Sequence, residues 1–306
     1  MHTSAAALPL PDLGVLAVRG PDARRFLNGQ LSQEVLSLDG QTVRWAGLHT
    51  AQGRVIAVLR LVAWTDDVVL CVLPRAAIAE VRTLLARYLL RAKATLTDES
   101  AVWRLEGLWG DDLVGAEPGA ARREGESMIW RHSTDGRCLR VTSATADIAP
   151  TSTDAAAGDA WHLADIAAGL PEIHPATCGA FVAQMLNLDV LNGISFTKGC
   201  YTGQEVIARA HYRGRVKRRL QRFEVSLPAG AAAPMPGDTL RLADGRGAQV
   251  VGSALRPDGR LELLAVAPYA TTATAADGAR APEVVEPENP LRLDAMPLPL
   301  PYALPD

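Results

Sequence analysis

The chain has 306 residues, 48% of them hydrophobic and 21% charged, with a net charge of −3. That is enough apolar material for two or three packed domains, and the slight net acidity excludes a general polyanion binder. No run approaches the ~18 apolar residues of a membrane span, and MHTSAAALPLPDLG lacks the positive, apolar layout of an export signal, so a cytoplasmic protein is expected.

Residues 12 to 19 alternate as a strand, and Gly20-Pro21-Asp22 opens a helix with Phe26, Leu27 and Leu31 on its inner face. Val43 to Leu48, Arg54 to Trp64 and Val68 to Leu73 read as three strands, the last two joined by a turn at Thr65-Asp66-Asp67. Pro74 starts a second helix whose apolar stripe is Ile78, Val81, Leu84, Leu85, Tyr88 and Leu89. Helices on one face of a mainly antiparallel sheet follow from this order. A second small sheet is expected from Val102–Leu108, Met128–Trp130 and Cys138–Val141. Thr151 to Gly158 reads as a loop or linker, after which Asp159 caps a helix running to Gly169, with Pro171 as its stop.

Phe181 to Leu191 is helical or tightly turned and leads to the most informative stretch, Lys198 to Arg222. Thr202, with Glu205 three residues later and then Val206 and Ile207, is a capping-box pattern. A helix should begin near Gly203, bury Val206, Ile207 and Ala210, and end at Gly214. Cys200 lies just before that start, between Gly199 and Gly203 and two residues after Lys198. The helix dipole and the lysine favour a thiolate there, on a bare loop. A cysteine is as a rule a buried, inert residue; the loop, the lysine and the helix start argue otherwise at this position. The Gly-x-x-x-x-Gly-Lys-Ser/Thr spacing of a phosphate-binding loop is absent.

Residues 209 to 222 hold seven Lys or Arg and no acid, leaving about −10 on the rest of the chain. Arg209, Arg213, Arg215, Lys217 and Arg218 are the candidates for gripping an anionic ligand or partner, although part of such a run clothes any exposed helix and strand. Beyond Arg222, short strands at Phe223–Leu227, Thr239–Leu242, Ala248–Leu255 and Leu261–Ala267 suit a small β-barrel. Thr271 to Pro290 is expected to be loop, with Leu291 to Pro301 returning as an edge strand. Cysteines 71, 138, 178 and 200 show neither C-x-x-C nor histidine-paired spacing, so no zinc site or self-contained cluster site is expected and the chain reads as reduced and intracellular.

Lys198-Gly199-Cys200-Tyr201-Thr202-Gly203-Gln204-Glu205, preceded by Gly193-Ile194-Ser195-Phe196 and followed by Ala208-Arg209, resembles the signature of the YgfZ family of folate-binding proteins. The likeness extends to Asp165–Pro171 and Gln184–Leu188. The family is related to the T-protein of the glycine cleavage system, an aminomethyltransferase. It is implicated in making or repairing iron–sulfur clusters and, through them, in tRNA modification.

The resemblance implies an α+β fold: two intertwined α/β subdomains with mainly antiparallel sheets, followed by a small C-terminal β-barrel, arranged around a central folate-binding channel. Here that means residues 1–218, with subdomains of about 1–100 and 101–218, and a barrel domain at 219–306. It also implies tetrahydrofolate or a derivative as cofactor, a transient iron–sulfur cluster, and iron–sulfur client or assembly proteins as partners, with weak tRNA contact. Cys200 is then the working thiolate, with Lys198 beside it and Gly199, Tyr201, Thr202, Gly203, Gln204 and Glu205 as the rest of the motif.

Two departures narrow the reading. The T-protein carries acidic residues on the strand after a glycine that matches Gly53; Ala57 and Val58 stand there, and neither can orient or deprotonate an amine. Aminomethyl transfer is therefore not expected, which sets the one-carbon-transferase alternative below the iron–sulfur factor. Asp165-Ile166-Ala167 stands where the T-protein has Arg-Leu-Glu, so Ala167 removes the glutamate that clamps the pterin. A third reading is a non-catalytic module that binds tRNA or protein through the basic run. His49, His162, His174 and His211 are scattered and read as structural or surface residues, the six tryptophans as core or pocket wall, and Cys71 as inert.

Overall fold

The computed structural model describes residues 7–110, 112–144, 155–214, 216–227, 230–269 and 291–305. A two-residue strand, β1 (Leu8–Pro9), precedes β2 (Leu13–Arg19), α1 (Ala23–Gln30), β3 (Arg44–His49), β4 (Val55–Thr65) and β5 (Val68–Pro74). Then come α2 (Ile78–Ala86) and β6 (Thr95–Asp98). Strands 2 to 6 form one antiparallel sheet in the order β3-β4-β5-β2-β6.

The clean alternation expected of β2 is absent: its five central residues are all buried. Both faces of this sheet are covered. Leu16, Val18, Leu59 and Cys71 pack with Phe26 and Leu27 of α1 and Ile78, Val81 and Leu85 of α2, while Val15, Ala17, Leu70 and Val72 pack on the opposite side against Trp103, Trp130 and Val141. In α2 the stripe stops early, because the helix ends at Ala86 and Tyr88, expected inside, is exposed.

The covering layer is a second antiparallel sheet, built from β7 (Trp103–Trp109), β8 (Ala121–Glu124), β9 (Ser127–Arg131) and β10 (Arg137–Ser143) in the order β1-β7-β10-β9-β8. Because β1 pairs with β7 while β2 lies in the first sheet, the N-terminal segment crosses between the two layers. Helix α3 (Ala155–Ala167) follows and starts before Asp159, which therefore lies within the helix and does not cap it. Thr151 to Asp154 of the expected loop lie outside the described residues, and the last four residues of that stretch are helical. Gly107 of β7 lets α3 approach: a Cβ there would meet the Trp161 ring at 2.5 Å.

Phe181–Leu191 contains one short 3₁₀ turn, Ala183–Leu186, ending at Asn187 in the left-handed conformation. After α4 (Gln204–Tyr212) the chain enters the third sheet: β11 (Arg218–Val225), β12 (Thr239–Arg241), β13 (Gly247–Leu255), β14 (Leu261–Pro268), β15 (Leu291–Arg292) and β16 (Ala295–Leu298). Its order is β15-β12-β13-β14-β11-β16, antiparallel except for β12 with β15. The single returning edge strand is thus two, one at each end of the sheet, and no ladder joins those ends among the described residues. The expected loop at Thr271–Pro290 lies outside the described residues.

Candidate functional site

The Cys200 loop is built from below by Lys198. This lysine is only 8% exposed, and its ammonium donates to the carbonyls of Asn28 (2.6 Å), Leu31 (2.7 Å) and Gln33 (3.0 Å). These are carbonyls at and just beyond the C-terminal end of α1, where a cation also meets the negative end of the helix dipole. Burial pushes its pKa down to about 8, against the pull of Glu34. Tyr201 lies buried beside it, its ring centroid 5.1 Å from the ammonium. All three lysine donors are used on backbone, so Lys198 anchors the loop. Next to Tyr201, with ring centroids 6.3 Å apart, His49 is buried with both ring nitrogens unpartnered, and burial pushes its pKa down to about 3, so the ring is neutral.

Cys200, by contrast, is exposed; Cys71 and Cys138 are buried and Cys178 is half-buried, its thiol near the Glu80 carboxylate. Burial pushes the Cys71 thiol up to about 12, and burial together with Glu80 pushes Cys178 up to about 11.

The start of α4 differs from the capping-box expectation. Gly203 is the N-cap, at φ +83°, and no side chain caps the helix. The reason is a backbone-to-backbone approach: a Cβ on Gly203 would lie 2.5 Å from the Thr50 carbonyl and 3.1 Å from the Gly53 Cα. That contact, and not the Thr202 hydroxyl, sets the entry of the chain. Gln204 is half-buried and Glu205 exposed at the helix start, Thr202 is half-buried and Gly199 exposed. Ile207 is fully buried, but Val206, expected on the inner face, is exposed beside Gly53. The helix closes at an Arg213 C-cap, one residue ahead of Gly214.

The basic run divides by environment. Arg219 is buried, pairs with both carboxylate oxygens of Asp189 at 2.8 Å and donates to the Gln184 carbonyl, and Arg222 pairs with Glu262 at 2.6 Å. Arg209, Arg213 and Lys217 are exposed and Arg218 is half-buried, while Arg215 lies outside the described residues.

A separate feature escaped the sequence. A cavity of about 930 Å³ opens where the N-terminal segment, α3 and the third sheet meet, lined by Leu10, Leu13, Trp161, His162, Asp165, Glu172, His174, Met235 and Ser253 among others. Behind it runs a buried column: Arg60 lies over Trp45 (4.5 Å), Trp45 and His132 are stacked (6.0 Å), His132 and Trp161 are stacked (5.5 Å), and Arg137 lies over Trp161 (4.6 Å). Asp165 ties the column together, accepting from Arg137 at 2.6 Å and bonding His132 at 2.9 Å, and Glu172 pairs with Arg60.

Burial raises the Asp165 carboxyl, but His132 and the guanidiniums of Arg137 and Arg60 outweigh it and hold the group well below the usual carboxylate range. Burial pushes His132 down despite Asp165. The column draws on β3, β4, β10, α3 and the turn between β9 and β10, with no local spacing to reveal it; Asp165 within the family-like stretch was the one available signal. Ala57 and Val58 are both buried core residues.

No family model matches the chain. It is 32% identical over 278 residues to the tRNA-modifying protein YgfZ of Klebsiella pneumoniae, covering 83% of this chain and 82% of that one. It is 34% identical over 236 residues to the tRNA-modifying protein YgfZ of Edwardsiella ictaluri, covering 72% and 71%. Among solved structures, the glycine cleavage system aminomethyltransferase T of Bartonella henselae superposes with a TM-score of 0.60 at 14% identity, over 86% of this chain and 78% of that one. That likeness establishes the fold, a mixed α/β arrangement with three mostly antiparallel sheets and few helices. Identity at this level over most of both sequences decides the family: the chain belongs to the YgfZ family.

Proposed function

We propose that the chain is a tetrahydrofolate-binding factor that supports iron–sulfur enzymes, including those that modify tRNA, with Cys200 as its working thiolate. One observation carries the folate half of the reading above all others: the cavity of about 930 Å³ at the junction of the three sheets. Its size suits an organic cofactor. Trp161 forms part of its apolar wall, and Glu172, one of whose carboxylate oxygens has no partner, offers an acceptor for the N–H edge of a pterin, in place of the clamp missing at Ala167. The residues suit the cofactor, which supports reading the cavity as the entrance of the channel that the family resemblance implies, with Ser253 of the C-terminal sheet in its wall. Bound tetrahydrofolate supplies a reduced pterin able to carry one carbon unit. The chain's own residues bind and orient it, with no acid at 57 or 58 to act on an amine.

Cys200 supports the other half as the one exposed thiol of four, on a loop held by Lys198 and by the contact of Gly203 with Gly53. Among the described residues no three His, Cys, Asp or Glu side chains converge on a metal position. A cluster, iron atom or persulfide at Cys200 is then cargo shared with a client, for which a soft thiolate is suited. Cells deprived of the protein and supplied with wild type, Cys200→Ser or Cys178→Ser test this. Wild type and Cys178→Ser should restore an iron–sulfur-dependent tRNA modification and Cys200→Ser should not, at equal protein levels; full restoration by Cys200→Ser contradicts the role of the sulfur.

A further inference from the structure

Three aromatic rings gather where the Cys200 loop meets the last turn of α4. Phe196 and His211 stack at 3.8 Å and 17°, and Tyr212 stands edge-on to both, at 4.7 Å from His211 and 6.1 Å from Phe196. Phe196 is half-buried and packs against the core, so the stack has a rigid base. Tyr212 is 67% exposed and His211 is exposed too, which means these rings shield little of the core. Among the described residues neither the imidazole nor the phenol has a hydrogen-bond partner.

The charges around them are equally unspent. Arg209 of α4 and its C-cap Arg213, one helical turn apart, are exposed, and among the described residues neither forms an ion pair, although Glu205 lies one turn before Arg209. Several other arginines are matched, among them Arg19 with Glu99, Arg137 with Asp165, Arg219 with Asp189 and Arg222 with Glu262, although the exposed Arg25, Arg82, Arg87 and Arg91 resemble Arg209 and Arg213 in having no ion pair among the described residues. No acidic residue occurs between Val206 and Phe223. Cations alone would fit an acidic protein as well as a nucleic acid. Exposed ring faces beside unpaired guanidiniums are the chemistry of a single strand, whose bases stack while its phosphates meet the arginines.

We propose that Phe196, His211 and Tyr212 form a stacking platform for unpaired RNA bases, with Arg209 and Arg213 on the flanking phosphates. The choice of RNA over DNA rests on the proposed support of tRNA modification; the platform itself rests on the rings and charges. Phe196 precedes Cys200 by four residues, a chain length that reaches at most ~14 Å. The base of the platform is therefore within that span of the Cys200 backbone. This goes beyond support through client enzymes alone, because it assigns direct RNA contact to the chain.

Fluorescence anisotropy on the full-length protein tests the platform. The probe is a labelled single-stranded RNA of anticodon-loop length, compared with the same sequence fully paired, from 50 to 200 mM salt. The unpaired probe should bind better than the duplex. Tyr212→Ala should weaken it by about 10-fold with the salt slope unchanged, and Tyr212→Phe, which keeps the ring, should restore it. Arg209→Ala with Arg213→Ala should instead flatten the salt dependence by a slope of about one to two. Equal binding of duplex and single strand, wild-type affinity in Tyr212→Ala, or no RNA binding, which would leave an acidic protein as the occupant of this face, each overturns the platform. Tetrahydrofolate binding measured on Tyr212→Ala should match wild type, and its absence from both proteins would remove the folate reading while leaving the RNA result standing.

Discussion

Lys198 and Asp165 show how much of this chain rests on single buried charges. Lys198 supplies three donors to the carbonyls of Asn28, Leu31 and Gln33, and Lys198→Met keeps the length and the apolar stem while removing all three. Leaving buried acceptors without a donor costs about 1–3 kcal/mol, so the urea midpoint should fall by that amount and the Cys200 loop should become more susceptible to proteolysis. An unchanged midpoint would mean that water satisfies the same carbonyls. Asp165 is a test by pH. Its folded pKa is depressed below the unfolded value, so its contribution is complete above about pH 4 and is lost as the pH falls further. Groups facing it are His132, Arg137 and Arg60. Asp165→Asn should lower stability at neutral pH by about 3 kcal/mol, because it uncovers buried guanidinium charge, and should lose less stability than wild type on acidification. Parallel stability curves for the two proteins would show that the network does not hold the carboxylate.

At the scale of elements, α4 marks what local pattern can and cannot tell. Its position was legible in Thr202-Gly203-Gln204-Glu205-Val206-Ile207, yet the cap was assigned to the wrong residue. A capping box is read from side chains in sequence, whereas the start of α4 is decided by Gly203 meeting Thr50 and Gly53, a contact that no local spacing encodes. Thr202→Ala should therefore change stability by less than about 0.5 kcal/mol. Gly203→Ala must place a Cβ against the Thr50 carbonyl at a positive φ and should cost about 1–3 kcal/mol by denaturant unfolding. The reverse ranking would reinstate the Thr202 cap. The early end of the α2 stripe at Ala86 has the same origin. Propensity sets that a helix forms, and packing against the sheets sets where it stops.

Across the whole molecule, strands were legible where a hydrophobic run was bounded by turns, whereas the short β1 and the mostly exposed β6 and β8 were not, and β11 starts at Arg218, within the basic run and ahead of the expected Phe223. What escaped was their assembly. The residues 8–13 that line the cavity are separated from Trp161, Met235 and Ser253 by long stretches of chain, and the Arg60-Trp45-His132-Trp161-Arg137 column joins four elements and the turn between β9 and β10. The cysteine motif could be found because all its parts are contiguous; the cavity could not, because its lining comes from segments far apart in the chain. The central claim is that this cavity holds a folate. Calorimetric titration of the purified protein with tetrahydrofolate tests it most directly, beside Ser253→Trp, which fills the cavity from β13 and is first checked for an unchanged circular dichroism spectrum. The account predicts one-to-one binding by wild type that is abolished by Ser253→Trp, and an absence of binding by wild type at high micromolar concentration would contradict it.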